Sequence, residues 1–156
     1  MRNNQGFGLL EIVVAIGVIT AALFALSATA RIAYVATVEA SDRVRAGFLL
    51  EEGFEAVKTI RDAGWATIQS LTLDQPYYLV FSGGAWQATT SLQTIDAVFE
   101  RSFTVRPVLR DASYNIASAG ANDADARKIE FTISWNERAR PITMTGVTYL
   151  TNLFLE

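Results

Sequence analysis

The sequence predicts an α+β protein in which one long N-terminal α-helix packs on a C-terminal antiparallel β-sheet of four to five strands. Three observations predict this fold. Residues 12–30 form an uncharged apolar run, residues 31–62 continue without proline and carry a helical apolar stripe, and several later segments alternate between apolar and polar side chains. Because the stripe and one apolar sheet face each need a cover, they favour one α+β head in which each buries the other.

The apolar excess of the chain lies in its N-terminal segment. The 156 residues are 51% hydrophobic overall, but 18 of the 24 residues at positions 7–30 belong to that class. The other residues are about 47% hydrophobic, which is ordinary for a globular domain. The nineteen residues 12–30 carry no charge and end at Arg31; as a helix they extend about 28 Å, close to the thickness of a hydrocarbon core. They predict a membrane-spanning half of the long helix.

Three interpretations of this segment compete. It could be a cleaved secretory signal, with Arg2 before it and Ala28-Thr29-Ala30 as a small-x-small cleavage site, or a plain single-pass anchor. The third interpretation depends on Glu11, which lies five residues into the apolar stretch. A carboxylate costs about 2.5–3.5 kcal/mol at the centre of a span and less near its end. A signal or anchor gains nothing from it, whereas a protein that pairs Glu11 with a neighbouring subunit's α-amine does.

The N-terminal sequence resembles a known processing signal. Residues 5–15, QGFGLLEIVVA, resemble the class III signal of type IV pilins and type II secretion pseudopilins: a short polar leader that ends in glycine, then phenylalanine, then glutamate four residues later, then an apolar helix. The resemblance implies that a membrane aspartyl prepilin peptidase cleaves between Gly6 and Phe7 and that Phe7 becomes N-methylated. It also implies that Glu11 neutralises the Phe7 amine of an adjacent subunit during assembly.

Details of the sequence favour a minor subunit of that family. The span has no proline, the chain has no cysteine for a C-terminal disulfide, and Leu9-Leu10-Glu11 replaces the commoner Leu-Ile-Glu. Residues 51–62, EEGFEAVKTIRD, followed by Trp65, also resemble a recurring pilin-like pattern. Their carboxylates are interpreted as a solvated helix face opposite a core stripe rather than as a catalytic pair.

The amphipathic half of the helix, residues 31–62, is predicted from its periodicity. Apolar residues recur at helical spacing, and acidic residues lie opposite them. Asp62-Ala63-Gly64 supplies a stop signal. The stripe consists of Ala46, Leu49, Leu50, Gly53, Phe54, Val57 and Ile60.

The sheet is predicted from alternation and turn signals. Strands at 77–81 and 85–90 flank the hairpin signal Ser82-Gly83-Gly84, and residues 98–108 form a third strand. A strand over 128–135 turns at 136–140 and returns at 141–155, where Gly146 is predicted to mark a bulge.

The segment 111–126, DASYNIASAGANDADA, is polar and rich in turn residues. Asp111, Asn122, Asp123 and Asp125 could contribute oxygen ligands to calcium, but their spacing is not that of an EF-hand. A solvated loop is the favoured interpretation, and no other metal or cofactor is predicted.

Composition excludes several classes of function. The chain has no histidine and no cysteine, which excludes histidine-dependent triads, Cys–His dyads and the usual zinc sites. Its net charge of −3, with no block of like charge, disfavours nucleic acid as a partner. Phosphate-binding loops and nucleophile elbows do not occur, so we predict that the chain is not an enzyme.

The expected organisation is a cleaved leader (1–6), a transmembrane and assembly half of the helix (7–30), an amphipathic half (31–62) and a β-sheet headgroup (63–156). The expected function is that of a structural subunit, a minor pilin, of a type IV pilus-like filament. The alternatives are a minor pseudopilin of a type II secretion system and a membrane-anchored or secreted binding module with an ordinary signal sequence.

The resemblance also implies the partners and the location of the chain. Its partners are other pilin or pseudopilin subunits, the prepilin peptidase, the inner-membrane assembly platform, and membrane lipid before assembly. The chain would cross the cytoplasmic (inner) membrane once, with its head outside the cytoplasm, and then enter a pilus or pseudopilus.

Overall fold

A computed structural model describes residues 8–153, which fall into two compact units, one up to Asp42 and one from Arg43 on. The described residues contain one long N-terminal helix, a short second helix and an antiparallel sheet, which confirms the α+β prediction. The leader, Gly6 and Phe7 lie outside the described residues.

The helices are α1 (Leu9–Ala63) and α2 (Trp65–Gln69), and the strands are β1 (Pro76–Ser82), β2 (Ala85–Thr89), β3 (Thr94–Ile95), β4 (Phe99–Arg110), β5 (Ile116–Ala117), β6 (Ala121–Glu137) and β7 (Arg140–Thr151).

Five strands form the main path of the sheet among the described residues, in the order β2-β1-β4-β6-β7, and the two-residue strands β3 and β5 pair with β4. A two-residue turn connects the two strands in each of the outer hairpins, β1–β2 and β6–β7. Gly83 and Gly84 have φ of 62° and 81° between β1 and β2, as the hairpin signal predicts. Arg138 and Ala139 make the equivalent turn between β6 and β7 with φ of 49° and 62°.

The predicted helix stripe is the surface that the sheet covers. Ala46, Leu49, Gly53, Val57 and Ile60 of α1 are buried, and Leu50 and Phe54 are partly buried against the same core. Ala56 is also buried, although the predicted stripe did not include it. From the sheet, the core receives side chains of alternate residues on the central strands: Phe99, Phe103, Val105, Ile129, Phe131, Ile133 and Trp135.

Two glycines allow the helix and the sheet to approach closely. A Cβ atom on Gly53 would lie 2.8 Å from the Phe131 ring, and one on Gly146 would lie 2.8 Å from both Leu50 and Phe54. The predicted bulge at Gly146 is wrong, because Gly146 pairs with Phe131 in an unbroken β6–β7 register. Gly146 instead leaves room for two helix side chains.

The predicted loop at 111–126 is wrong in its second half. β6 begins at Ala121, and its first residues pair with Val108–Arg110 of β4. The β4–β6 register then shifts between Pro107 and Val108, where Pro107 pairs with Arg127 but Val108 pairs with Asp123. The segment is polar because most of its side chains are exposed on the strand, not because it lacks strand pairing.

Candidate functional site

The first unit contains the part of α1 up to Asp42, whose large apolar side chains are exposed. The helix is long and apolar enough to span a membrane, and none of its most apolar 18-residue window is buried. A signal sequence near an N-terminus has the same properties, so this observation supports membrane insertion without deciding its kind. The exposed apolar side chains before Arg31 include Leu9, Leu10, Ile12, Val13, Val14, Ile16, Val18, Ile19, Leu23, Phe24 and Leu26.

Glu11 lies in the first turn of this helix. Its backbone N–H donates to the carbonyl oxygen of Gly8 at 3.0 Å, and its side chain is exposed. The helix macrodipole favours a carboxylate at this end of a helix. No ion pair joins Glu11 to another residue in the described range 8–153.

Threonine hydroxyls along the apolar surface are satisfied within the helix. Thr20, Thr29 and Thr37 donate to the carbonyl oxygens four residues before them, at 2.7, 3.0 and 2.9 Å. Such bonds remove the cost of placing a hydroxyl in hydrocarbon. Three threonines therefore do not interrupt a surface suited to lipid or to another helix.

In the second unit, a charge network joins α1 to the end of β6. The Nε and Nη2 atoms of Arg43 donate to the two carboxylate oxygens of Glu137 at 3.2 and 3.1 Å. The indole Nε1 of Trp135 also donates to Glu137 at 3.1 Å. The Arg43 guanidinium, followed by the Trp135 indole, holds the pKa of Glu137 below its ordinary value despite the cost of burial.

Arg101 is a buried cation that the sequence analysis did not single out. Its Nη1 atom donates to the Leu49 carbonyl oxygen at 3.0 Å and to Glu52 at 2.8 Å, and its guanidinium lies 5.5 Å from the centre of the Trp86 ring. The residue is 4% exposed. The position of Arg101 in the sequence could have indicated its burial, because Arg101 falls on the same strand face as Phe99 and Phe103.

The four calcium candidates line one cavity of about 220 Å³ together with Arg110. Asp123 accepts from the Nε of Arg110 at 2.5 Å and from the backbone N–H of Asp125 at 3.0 Å. Asp111 accepts from the backbone N–H groups of Ser113 and Asn115 at 2.8 and 2.9 Å.

These hydrogen bonds engage the carboxylates of Asp111 and Asp123, two of the four calcium candidates. The Arg110 hydrogen bond lowers the pKa of Asp123, and the Asn115 backbone N–H lowers the pKa of Asp111. Within residues 8–153, no group of three or more acidic side chains is arranged to hold a metal.

A second cavity, of about 600 Å³, lies beside β4, β5 and β6. Its charged side chains are engaged with acidic partners: Arg106 lies 2.8 Å from Glu130 and 3.4 Å from Asp74, and Lys128 lies 2.6 Å from Glu130. Lys128 thereby lowers the pKa of Glu130. We assign no chemistry to this cavity.

No protein-family model, curated protein or solved structure matches the chain. The functional interpretation therefore depends on the residues and the geometry of the chain itself. Among the residues singled out from sequence, Glu11 lies on an exposed apolar surface, and the four calcium candidates lie together around Arg110.

Proposed function

We propose that the chain is a structural subunit, a minor pilin, of a type IV pilus-like filament. Prepilin peptidase cleaves it between Gly6 and Phe7, the apolar part of α1 holds it in the inner membrane, and the head lies outside the cytoplasm. Assembly platform proteins and other subunits then draw α1 out of the lipid into a helical bundle. The observation that carries the proposal is Glu11, a carboxylate at the start of a long, exposed, otherwise uncharged apolar surface.

The apolar surface and Glu11 have separate roles in this assembly. Burial of apolar side chains against other subunits favours association but does not select a register along the helix. An unpaired carboxylate in the bundle would be strongly unfavourable, whereas one paired with the Phe7 amine of a neighbour would be neutralised. Glu11 therefore selects the one axial position at which the two charges meet.

The mature N-terminus tests the processing step. We expect N-terminal sequencing and intact mass of the chain from its native host to give a methylated Phe7. A chain that begins at Arg31 would identify an ordinary signal peptide, and one that begins at Met1 would identify an uncleaved anchor. Both of those results contradict the proposal.

Charge removal at Glu11 tests the assembly step. Since removing one partner of a buried ion pair costs about 3–5 kcal/mol, Glu11→Gln and Glu11→Val should lower incorporation into filaments by more than about tenfold. Both variants should still reach the membrane fraction, because the apolar surface is unchanged. Glu51→Gln removes a carboxylate from an exposed position of the same helix and is the matched control. Normal incorporation of the Glu11 variants would refute the assigned role.

A further inference from the structure

The charged residues of the sheet are concentrated on its two central strands. β4 carries four charged residues and β6 carries six, whereas β1 and β2 carry none and β7 carries only Arg140, at its first position. The sequence has no charge over residues 75–95, which include β1 and β2, and none over residues 141–155, which include β7 after Arg140. Both edge strands of the main sheet, β2 and β7, are therefore almost free of charge.

This distribution is the reverse of the usual protection of sheet edges. Soluble proteins discourage pairing between edges with charged side chains, prolines, bulges or very short strands. β7 has twelve residues in continuous register with β6, and its Pro141 lies next to the turn, where it leaves the rest of the edge unprotected. No strand of residues 8–153 covers the outer side of β7.

The turn geometry identifies the free backbone groups of both edges. In a two-residue hairpin the residues that flank the turn form a hydrogen-bonded pair, and every second residue then points its N–H and C=O outward. On β7, the residues with outward backbone groups after Pro141 are Thr143, Thr145, Val147, Tyr149 and Thr151. On β2, the same alternation gives Trp86 and Ala88.

We propose that the β7 edge of one copy of this chain pairs in parallel with the β2 edge of a second copy. Four antiparallel steps separate β2 from β7 in the sheet, so the two edges run in the same direction. A sideways translation of a whole subunit therefore brings β2 beside β7 and leaves all α1 helices parallel. The choice of this direction rests on the proposed function, because subunits inserted through one membrane share one orientation.

The competing self-association would join two β7 edges. Such a pair is antiparallel about a two-fold axis through the sheet, and it would place the Arg43–Ala63 portions of the two α1 helices antiparallel. In a filament whose subunits share one helix direction, as the proposed function requires, that arrangement is not available. The β7–β2 contact is instead head-to-tail, and such a contact can repeat from subunit to subunit along a filament.

Because the chain has no cysteine, single cysteines can test this contact without background. The strand registers place Thr89 of β2 level with Thr145 of β7, through Tyr78, Ser102 and Thr132. With no shift along the strands, translation therefore brings Gln87, two residues before Thr89, level with Thr143, two residues before Thr145. Both of these side chains are exposed. We would co-express full-length Gln87→Cys and Thr143→Cys chains with different tags and treat native-host membranes and filaments with a short bis-maleimide. The proposal predicts a product that carries both tags. A control with Thr132→Cys, on central strand β6, should stay monomeric.

The alternatives give different products. A dimer from Thr143→Cys chains alone would show β7–β7 pairing and overturn the head-to-tail contact. Absence of both products would overturn edge pairing altogether. The N-terminus and filament incorporation, measured on the same samples, separate this result from the proposed function: a mature Phe7 with no product refutes the edge contact only, whereas an N-terminus at Arg31 refutes the filament subunit.

A charged substitution on the edge gives a second, independent measurement. Val147→Lys places a cation on the half-exposed outer face of β7. Since edge lysines oppose strand addition, the yield of the two-tag product should fall by about tenfold with no change in melting temperature. Thr104→Lys, on central strand β4, should leave the yield unchanged. An equal yield from the Val147→Lys and unsubstituted chains would contradict the proposal.

Discussion

The two portions of α1, before and after Arg43, have the same backbone structure but different surroundings. Phe24, in the first portion, is 73% exposed, whereas Phe54, in the second, packs edge-to-face against Phe131 at 5.4 Å between ring centres. The second portion buries one stripe against a sheet that the same chain provides. The first portion has no such cover within the described residues. The second portion therefore has a folding surface that the chain itself covers, whereas the apolar side chains of the first portion stay exposed among the described residues.

The largest difference in stability should come from truncating one phenylalanine to alanine in the core that covers the second portion of α1 and another on the exposed first portion. Phe131→Ala removes a fully buried ring that contacts Phe54, Phe103 and Gly53, and it should lower the free energy of unfolding by about 3–5 kcal/mol. Phe24→Ala should change it by less than about 0.5 kcal/mol, because that ring is exposed. Denaturant unfolding of the full chain in detergent measures both. Similar losses for the two variants would contradict the division of α1.

A second pair of substitutions, both glycine to alanine in α1, should change stability in opposite directions. Gly53→Ala places a methyl group 2.8 Å from Phe131 and should destabilise the head by about 1–3 kcal/mol. Gly47→Ala meets nothing within 4 Å and should stabilise α1 by about 0.5–1 kcal/mol through helix propensity alone. Thermal unfolding of the two variants gives the comparison. A stabilising Gly53→Ala would show that Phe131 moves freely.

A third prediction concerns the pH dependence of the head. Because Arg43 lowers the pKa of Glu137 in the folded state, the pair stabilises the head fully above the ordinary pKa of 4.5. Its contribution is lost as the pH falls from that value through the lower, folded pKa. Melting temperatures from pH 7 to pH 3 should therefore show Glu137→Gln most destabilised near neutral pH and approaching the unsubstituted chain in acid. Glu51→Gln should show no such convergence, and a constant difference for Glu137→Gln would contradict the ion pair.

The smallest effect should come from the β6–β7 turn. Ala139 has φ of 62°, a conformation that costs a non-glycine residue roughly 1–2 kcal/mol. Ala139→Gly should stabilise the head by about 0.5 kcal/mol, because the greater freedom of glycine in the unfolded chain offsets part of the gain. Ala36→Gly, in the first portion of α1, should leave the melting temperature of the head unchanged. A lower melting temperature for Ala139→Gly would contradict the positive φ of Ala139 in this turn.

Local sequence patterns predicted the elements in which side chains alternate regularly between the core and solvent, and the turn that joins two of them. The stripe that includes Ala46 and Val57, the hairpin at Gly83 and the alternation through Phe131 are all present. Each depends on neighbours within one or two turns or strands. For the same reason the position of Glu11 at the helix start could be anticipated from sequence, whereas Gly6 and Phe7 remain predictions.

Features that depend on distant residues could not be predicted in this way. Gly146 has the appearance of a strand breaker, but its role is set by Leu50 and Phe54 of a helix almost 100 residues earlier. Arg101 is charged yet buried, because its partners lie on that same helix. The early start of β6 is hidden by exposed polar side chains, since its pairing with β4 involves backbone groups that composition does not report.

The contact between Gly53 and Phe131 has a consequence for biosynthesis. The two residues lie 78 positions apart in the chain. At a synthesis rate of about 5–20 residues per second, the stripe waits about 4–16 s before β6 exists to cover it. During that interval the nascent chain exposes apolar side chains on both portions of α1, and those of the second portion are the ones that the sheet later covers. The stripe on the second must stay shielded until translation of the central strands is complete.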